Sequence, residues 1–138
     1  MPNWVIEGHL ATSPRPGFRP GPEATVPLEH VHAWVKEVRS FGVASILCLI
    51  SDDQLPLYRH ALPQGLLSFY EEAGFRVAHL PAFDGMTEPY TAADYDRAWQ
   101  SFLALPKPVL VHCSAGMDRT FRVVNHIVEQ LQANGHQP

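Results

Sequence analysis

Val109-Leu-Val-His-Cys113-Ser-Ala-Gly-Met-Asp-Arg119-Thr120 is the stretch of the chain that decides the fold. Its first residues are aliphatic and β-branched, and they predict a short strand that is buried on both faces and ends at His112. A helical pattern begins at about Met117, so the strand leads through a tight loop into a helix. That order is typical of α/β proteins, in which ligands bind beyond the carboxyl ends of the strands. We therefore expect the functional site in this loop.

The loop has the composition of a phosphate cradle. Five residues separate Cys113 from Arg119, enough backbone to wrap around one small anion, and Gly116 permits a turn that other residues resist. Inward-pointing N–H groups and the helix N-terminus attract phosphate, and Arg119 can contact two of its oxygens. The same positive environment favours the thiolate of Cys113, which is the reactive form of cysteine. One loop thus places a nucleophile beside a phosphate site.

The rest of the chain alternates between strand and helix patterns. Strands are predicted at about residues 4–7, 43–50 and 75–80, and helices at about residues 28–42, 91–105 and 117–133. Thr91 to Asp94 resembles a capping box, and Asp52 or Asp53 is expected to cap a further helical stretch that Pro63 and Gly65 divide. The alternation predicts an α/β fold of three layers, with a mainly parallel central sheet of about four or five strands flanked by helices.

Composition narrows the class of protein. A length of 138 residues suits a single compact domain over residues 1–138, and a net charge of −4 offers no general basic surface for nucleic acid. The longest apolar run, residues 41–50, is too short for a membrane span, which takes roughly 20 residues. Two cysteines are too few for a disulfide scaffold. We expect a cytoplasmic monomer with no nucleic-acid partner and no membrane span.

Three further features have a structural interpretation beside a functional one. Five prolines between residues 14 and 27 predict an ordered loop, in which we expect Arg15 and Arg19 to be solvated; the alternative is that they edge the mouth of the site. Cys48 lies in an apolar run and is expected to be a core residue. The chain has eight histidines, but their spacing completes no ligand set, so no metal site is expected.

Residues His112 to Thr120 resemble the H-C-x-x-G-x-x-R-S/T signature of cysteine-dependent protein tyrosine and dual-specificity phosphatases. The resemblance implies a dual-specificity phosphatase-like fold. It also implies hydrolysis of phosphate monoesters, on phosphotyrosine or mixed phosphoprotein substrates, through a cysteinyl-phosphate intermediate and without a metal or other cofactor. Two alternatives stay open: a phosphoinositide or other small-molecule phosphatase of the same mechanism, and a phosphate-binding pseudophosphatase.

The resemblance assigns roles residue by residue. Cys113 would be the nucleophile, Arg119 would bind the phosphate, Thr120 would donate a hydroxyl to the departing thiolate, and His112 would hold the loop. The remaining loop residues would supply mainly backbone N–H groups to the phosphate: Ser114, Ala115, Gly116, Met117 and Asp118.

The family also needs a general acid to protonate the leaving oxygen. Asp84 stands where the family carries it, on a loop after the preceding strand, and Glu88 and Asp118 are its rivals.

Three further points bear on this resemblance. Phe121 stands where many members have Gly, and a distorted helix start there would favour the pseudophosphatase. Met117 stands where many lipid phosphatases have Lys, which makes multiply phosphorylated inositides a weaker expectation. By similarity to members with a protective second cysteine, Cys48 and Cys113 could form a reversible disulfide; mass spectrometry that finds only oxidised Cys113 after mild peroxide would contradict it.

Overall fold

A five-stranded sheet forms the centre of the computed structural model, which describes residues 2–81 and 90–135. The strands are β1 (Asn3–Ile6), β2 (Leu10–Ser13), β3 (Ser45–Cys48), β4 (Arg76–His79) and β5 (Val109–His112). Their order across the sheet is β1-β2-β5-β3-β4. Strands β2, β5, β3 and β4 pair in parallel, and β1 is an antiparallel edge strand. The predicted α/β fold with a mainly parallel sheet is therefore confirmed.

Helices cover both faces of the sheet. They are α1 (Leu28–Ser40), α2 (Leu66–Glu72), α3 (Ala92–Ala104) and α4 (Asp118–Ala133), with a short 3₁₀ helix at Leu55–Tyr58. Alternate residues of β3 and β5 face opposite ways. Val109 and Val111 join the core with α3 and α4, while Leu110 joins the core with α1 and α2. These two cores make the predicted three layers. No helix of the described residues is long and apolar enough to cross a membrane.

Strand β2 was not predicted. It has only four residues, ends directly before Pro14, and reverses from β1 through a turn in which Gly8 has a φ of +76°. Its place in the sheet depends on pairing with β5, almost a hundred residues later, which no local pattern reveals. The pairing sets Ser13 opposite His112, so the proline-rich segment of residues 14–27 starts beside the loop that follows β5.

Helix boundaries confirm some local predictions and correct one. Thr91 caps α3, accepting a hydrogen bond from the Asp94 N–H while the Asp94 carboxylate accepts from the Thr91 N–H. Gly65 precedes α2, as the predicted break requires. The expected cap at Asp52 or Asp53 is wrong, because the 3₁₀ helix follows Gln54, whose side chain is buried and bonded elsewhere.

Candidate active site

The loop after β5 is closed on one side and open on the other. Cys113 is only 3% exposed, and the side chains of Arg119 and Thr120, in the first turn of α4, are completely buried. Met117 and Asp118, at the opposite end of the loop, are exposed. Met117, the N-cap residue of α4, makes no side-chain capping bond to any described residue, so the first N–H groups of the helix can bind an anion in the loop.

Gly116 fits the loop against the end of β2. Its φ is +77°, a left-handed conformation that L side chains rarely adopt. A Cβ atom there would stand 2.8 Å from backbone atoms of both Ser13 and Pro14. The expectation that this position needs glycine holds for both reasons, conformation and space.

Backbone and side-chain oxygens hold the guanidinium of Arg119. One terminal nitrogen donates to the carbonyl of Leu49 at 3.3 Å, and the other donates to Oε1 of Gln54 at 3.2 Å. Ser51 donates to the same Oε1 at 3.1 Å, and the amide nitrogen of Gln54 donates to Glu23 at 2.5 Å. Sequence reasoning missed Gln54. Its one signal was its place, a few residues beyond the carboxyl end of β3.

His112 holds the start of the loop through both ring nitrogens. Nδ1 lies 3.1 Å from the carbonyl oxygen of Cys113, and Nε2 lies 2.9 Å from the hydroxyl of Tyr70. A carbonyl can only accept, so we assign the proton to Nδ1, and Nε2 then accepts from Tyr70. Burial, reinforced by the charge of Arg119, lowers the pKa of His112 to about 4. The ring is therefore neutral at pH 7.

Thr120 presents a buried hydroxyl at the base of the loop. Its Oγ1 has no hydrogen-bond partner among the described residues. A buried hydroxyl normally finds a partner, so the hydroxyl of Thr120 has a hydrogen bond to offer to a polar ligand or a thiolate.

The placement of Arg15 corrects an expectation. It is not a solvated loop residue: it is 4% exposed and donates from Nε to the hydroxyl of Ser114 at 3.1 Å. Arg19, on the same segment, is exposed as expected. The parallel pairing of β2 with β5 explains the difference, because it directs residue 15 into the site.

Cys48 is a core residue, as predicted. It is fully buried opposite His112 in the pairing of β3 with β5. Burial raises its pKa to about 12, despite a backbone hydrogen bond at Ile50 and the charge of Arg119, which lower it. The thiol is thus protonated at neutral pH, the form that is inert toward oxidants.

Asp118 is the one described residue among the three carboxylates considered as general acid. Asp84 and Glu88 fall outside the described residues. The residues that flank their segment, Leu80 and Tyr90, pack in the same core cluster as Cys113. Asp118, the first residue of α4, is exposed, and its carboxylate lies 3.1 Å from Nε of Arg122.

Phe121 does not distort the start of α4. The helix begins at Asp118, and the N–H of Phe121 donates to the carbonyl of Met117 at 2.7 Å. Its side chain projects into solvent and is 53% exposed. The geometric reason for expecting a pseudophosphatase is therefore absent.

Several solved structures share the fold of this chain. Kinase associated phosphatase (KAP), solved with its catalytic-site cysteine substituted by serine, has a TM-score of 0.68 at 22% identity, with 88% of this chain and 65% of that chain covered. The chain has the fold of the cysteine-based phosphatases. A mutant form of Tk-PTP has a TM-score of 0.63 at 19% identity, covering 97% of this chain and 73% of that chain.

A third such structure is the core catalytic domain of PP-IP phosphatase SIW14 from S. cerevisiae in complex with citrate. Its TM-score is 0.60 at 19% identity, with 94% of this chain and 66% of that chain covered. The chain thus spans about two thirds of the length of two of these proteins. No protein-family model and no curated protein matches it. The resemblance drawn from the loop residues is confirmed at the level of the fold.

Replacing Gly116 by alanine should destabilise the protein more than replacing Gly8. Both glycines have a positive φ, but a Cβ at Gly8 would meet nothing within 4 Å. We expect Gly8→Ala to cost about 1 kcal/mol for the left-handed conformation, and Gly116→Ala about 1–3 kcal/mol more, because the backbone of Ser13 must move. Urea unfolding measures both. Equal losses would show that the close approach to β2 has no energetic weight.

Stability should fall as the pH drops below about 6.5. The folded pKa of His112, about 4, lies under its ordinary value of 6.5, so the unfolded chain binds more protons between these values. The contribution is complete above pH 6.5 and is lost toward pH 4, at up to about 1.4 kcal/mol per pH unit. Urea unfolding between about pH 7.5 and 5 avoids most carboxylate titration. His112→Gln should flatten the slope, and an unchanged slope in that variant would assign it to other groups.

Proposed function

We propose that the protein is a metal-independent phosphatase that hydrolyses phosphate monoesters through a cysteinyl-phosphate intermediate on Cys113. The observation that carries the proposal is the loop that joins Cys113, at the end of a buried strand, to the buried guanidinium of Arg119. Leu49 and Gln54 fix that guanidinium. Catalysis of phosphoryl transfer depends mostly on such positioning and on fixed positive charge.

The proposed reaction has two steps. The Cys113 thiolate attacks phosphorus and the bond from phosphorus to the leaving oxygen breaks, while a carboxylic acid gives that oxygen a proton. Water then attacks the phosphocysteine, giving its proton to the same carboxylate, and the bond from phosphorus to sulfur breaks. Arg119 and the loop N–H groups hold the phosphate oxygens in both steps, and the buried hydroxyl of Thr120 stabilises the thiolate that departs in the second.

We assign the general acid to Asp84. Its segment starts after Leu80 and ends before Tyr90, and both of these residues pack against the core that contains Cys113. Burial raises the pKa of Tyr90, on which Arg119 and Cys113 also act electrostatically, so Tyr90 itself lies near the loop. Asp118 is a weaker candidate because its carboxylate faces Arg122 on the exposed side of α4. Glu88 remains the rival on the same segment.

The substrate that fits best is an aromatic phosphate ester, in the first place phosphotyrosine in a protein. Met117 and Phe121 are 61% and 53% exposed and lie one helical turn apart at the open end of the loop. An exposed apolar pair suits the ring of a phosphotyrosine and offers no charge to further phosphates of an inositol. The similar structures include both protein phosphatases and a PP-IP phosphatase, so they do not discriminate.

We also propose that residues 1–138 act as one monomeric phosphatase domain in the cytoplasm, without a nucleic-acid partner. Both core clusters pack on the two faces of a single sheet, which supports one folding unit. A reducing compartment would keep the thiolate of Cys113 active.

Hydrolysis of p-nitrophenyl phosphate and of phenyl phosphate in EDTA tests the mechanism. Cys113→Ser should abolish turnover. Asp84→Asn should lower kcat for phenyl phosphate about 100-fold. The loss should be smaller for p-nitrophenyl phosphate, because p-nitrophenolate is the better leaving group. The variant should also lose the decrease of kcat at alkaline pH, which reports deprotonation of the general acid. Glu88→Gln and Asp118→Asn are the matched controls; if one of them behaves this way instead, the acid is reassigned. A folded parent with no turnover would contradict the proposed function.

Phosphate release from a phosphotyrosine peptide, a phosphothreonine peptide and an inositol polyphosphate tests the substrate class. We expect the phosphotyrosine peptide to be the best substrate. Phe121→Ser should raise its KM about threefold to tenfold, as the loss of one aromatic contact predicts. Leu103→Ser, which replaces an exposed leucine on α3, is the control and should leave KM unchanged. Preference for the inositol polyphosphate, or an unchanged KM in Phe121→Ser, would contradict the assignment.

A further inference from the structure

Arg15 is a buried cation in a segment that the phosphatase signature does not include. It lies two residues after β2 and is 4% exposed. A buried charge is costly unless something compensates it. Among the described residues no carboxylate forms an ion pair with Arg15. The compensation for this charge therefore has to come from hydrogen bonds and from whatever the neighbouring loop binds.

Two hydrogen bonds join Arg15 to a single loop residue. Its backbone N–H donates to the carbonyl of Ser114 at 2.8 Å, and its Nε donates to the hydroxyl of Ser114 at 3.1 Å. Ser114 directly follows Cys113. The main chain and the side chain of Arg15 thus fix the first residue after the nucleophile, across 99 positions of sequence.

The other end of the guanidinium is equally constrained. A terminal nitrogen of Arg15 donates to the hydroxyl of Tyr58 at 3.1 Å, and that hydroxyl donates to the carbonyl of Pro16 at 2.6 Å. The rings of Tyr58 and Phe18 lie 5.9 Å and 5.8 Å from its central carbon. These contacts hold the charge in one place without neutralising it.

The titratable groups around Arg15 do not neutralise the positive charge of its guanidinium. Burial raises the pKa of Tyr58 to about 12, so this phenol is neutral at pH 7. His112 and Cys48, on the neighbouring strands, are neutral as well, and the charge of Arg15 is one of the causes that lower the pKa of His112. Arg119 is the other cation on the loop. Glu23 is a carboxylate near this network: it acts electrostatically on Tyr58 and accepts a hydrogen bond from Gln54. No carboxylate of the described residues is bonded to Arg15 itself, so both positive charges act on the loop.

We propose that Arg15 is a positioning residue for the phosphate loop and its second buried cation: it fixes Ser114 and supplies positive charge that favours both the Cys113 thiolate and a bound phosphate dianion. The inference rests on the proposed function, since it gives Cys113 and the loop their catalytic meaning. The alternative is that Arg15 only anchors the proline-rich segment to the core. That role requires the hydrogen bonds of Arg15, but it does not require the charge of Arg15 to act on Cys113.

Alkylation of Cys113 by iodoacetamide as a function of pH separates the two roles. Mass spectrometry of the Cys113 peptide gives the rate for the parent, Arg15→Gln and Arg15→Lys, with Arg19→Gln as the exposed control from the same segment. Removing the charge should move the alkylation midpoint up by about one pH unit, which is about tenfold less thiolate below it. Arg15→Lys should keep the parent midpoint, because the charge remains.

Turnover of p-nitrophenyl phosphate reports the positioning role. In Arg15→Lys we expect kcat/KM to fall about tenfold although the alkylation midpoint is kept, because lysine cannot reproduce the bond from Nε to Ser114. Arg19→Gln should match the parent in both assays. Circular dichroism establishes which variants fold. If Arg15→Gln does not fold, the test depends on Arg15→Lys alone. A kcat/KM equal to that of the parent in Arg15→Lys then overturns the proposal.

An alkylation profile of folded Arg15→Gln that superimposes on the parent also overturns the proposal. Alkylation needs no turnover, so this result is distinct from a failure of the proposed function. If the parent hydrolyses no phosphate ester but Arg15→Gln still shifts the midpoint, the electrostatic role of Arg15 stands and the phosphatase assignment falls.

Discussion

The parallel pairing of β5 between β2 and β3 is the constraint on which the site depends. It sets Ser13, His112 and Cys48 side by side in one row across the sheet. Every residue that follows this row leaves the sheet at the same edge. Cys113, Leu49 and Arg15 are the first or second residues beyond it, and each takes part in the loop or holds it. The site is therefore a property of strand register more than of any single segment.

Register also explains why so many polar groups can be buried in a protein of this size. Arg119 donates to oxygens provided by the end of β3 and by Gln54, and Arg15 donates to Ser114 and Tyr58. Arginine suits both places because its fork of donors reaches two acceptors at once. Each guanidinium obtains its acceptors only after the strands have paired, so the polar network depends on the fold and at the same time fixes the loop.

The features of the fold and the site that lie within one continuous stretch of the chain could be predicted from the sequence. The run from Val109 to Thr120 carries strand, loop and helix start in twelve residues, and the capping box at Thr91 is equally local. The role of Gln54 could not be predicted, and for Arg15 a place at the site was only the alternative to a solvated position. Their neighbours in sequence are prolines and turn residues, and their role exists only through pairing with residues far along the chain. Strand β2 was not predicted for the same reason: a strand of four residues gains its stability from the strand with which it pairs.

The charges around the loop after β5 determine which species the site can stabilise. Two guanidinium groups act on the loop, while His112, Cys48 and Tyr58 are held neutral by burial. Protonation of His112 would add a third positive charge without adding a hydrogen bond. The Nδ1 proton is already bonded to the carbonyl of Cys113, and Nε2 is already bonded to the hydroxyl of Tyr70. In the proposed reaction, two fixed cations match the thiolate nucleophile and the phosphate dianion that it attacks. The neutral groups do not titrate in the neutral range, so they leave this charge balance unchanged there. Met117 and Phe121, exposed at the open end of the loop, are the residues that we propose to contact the substrate.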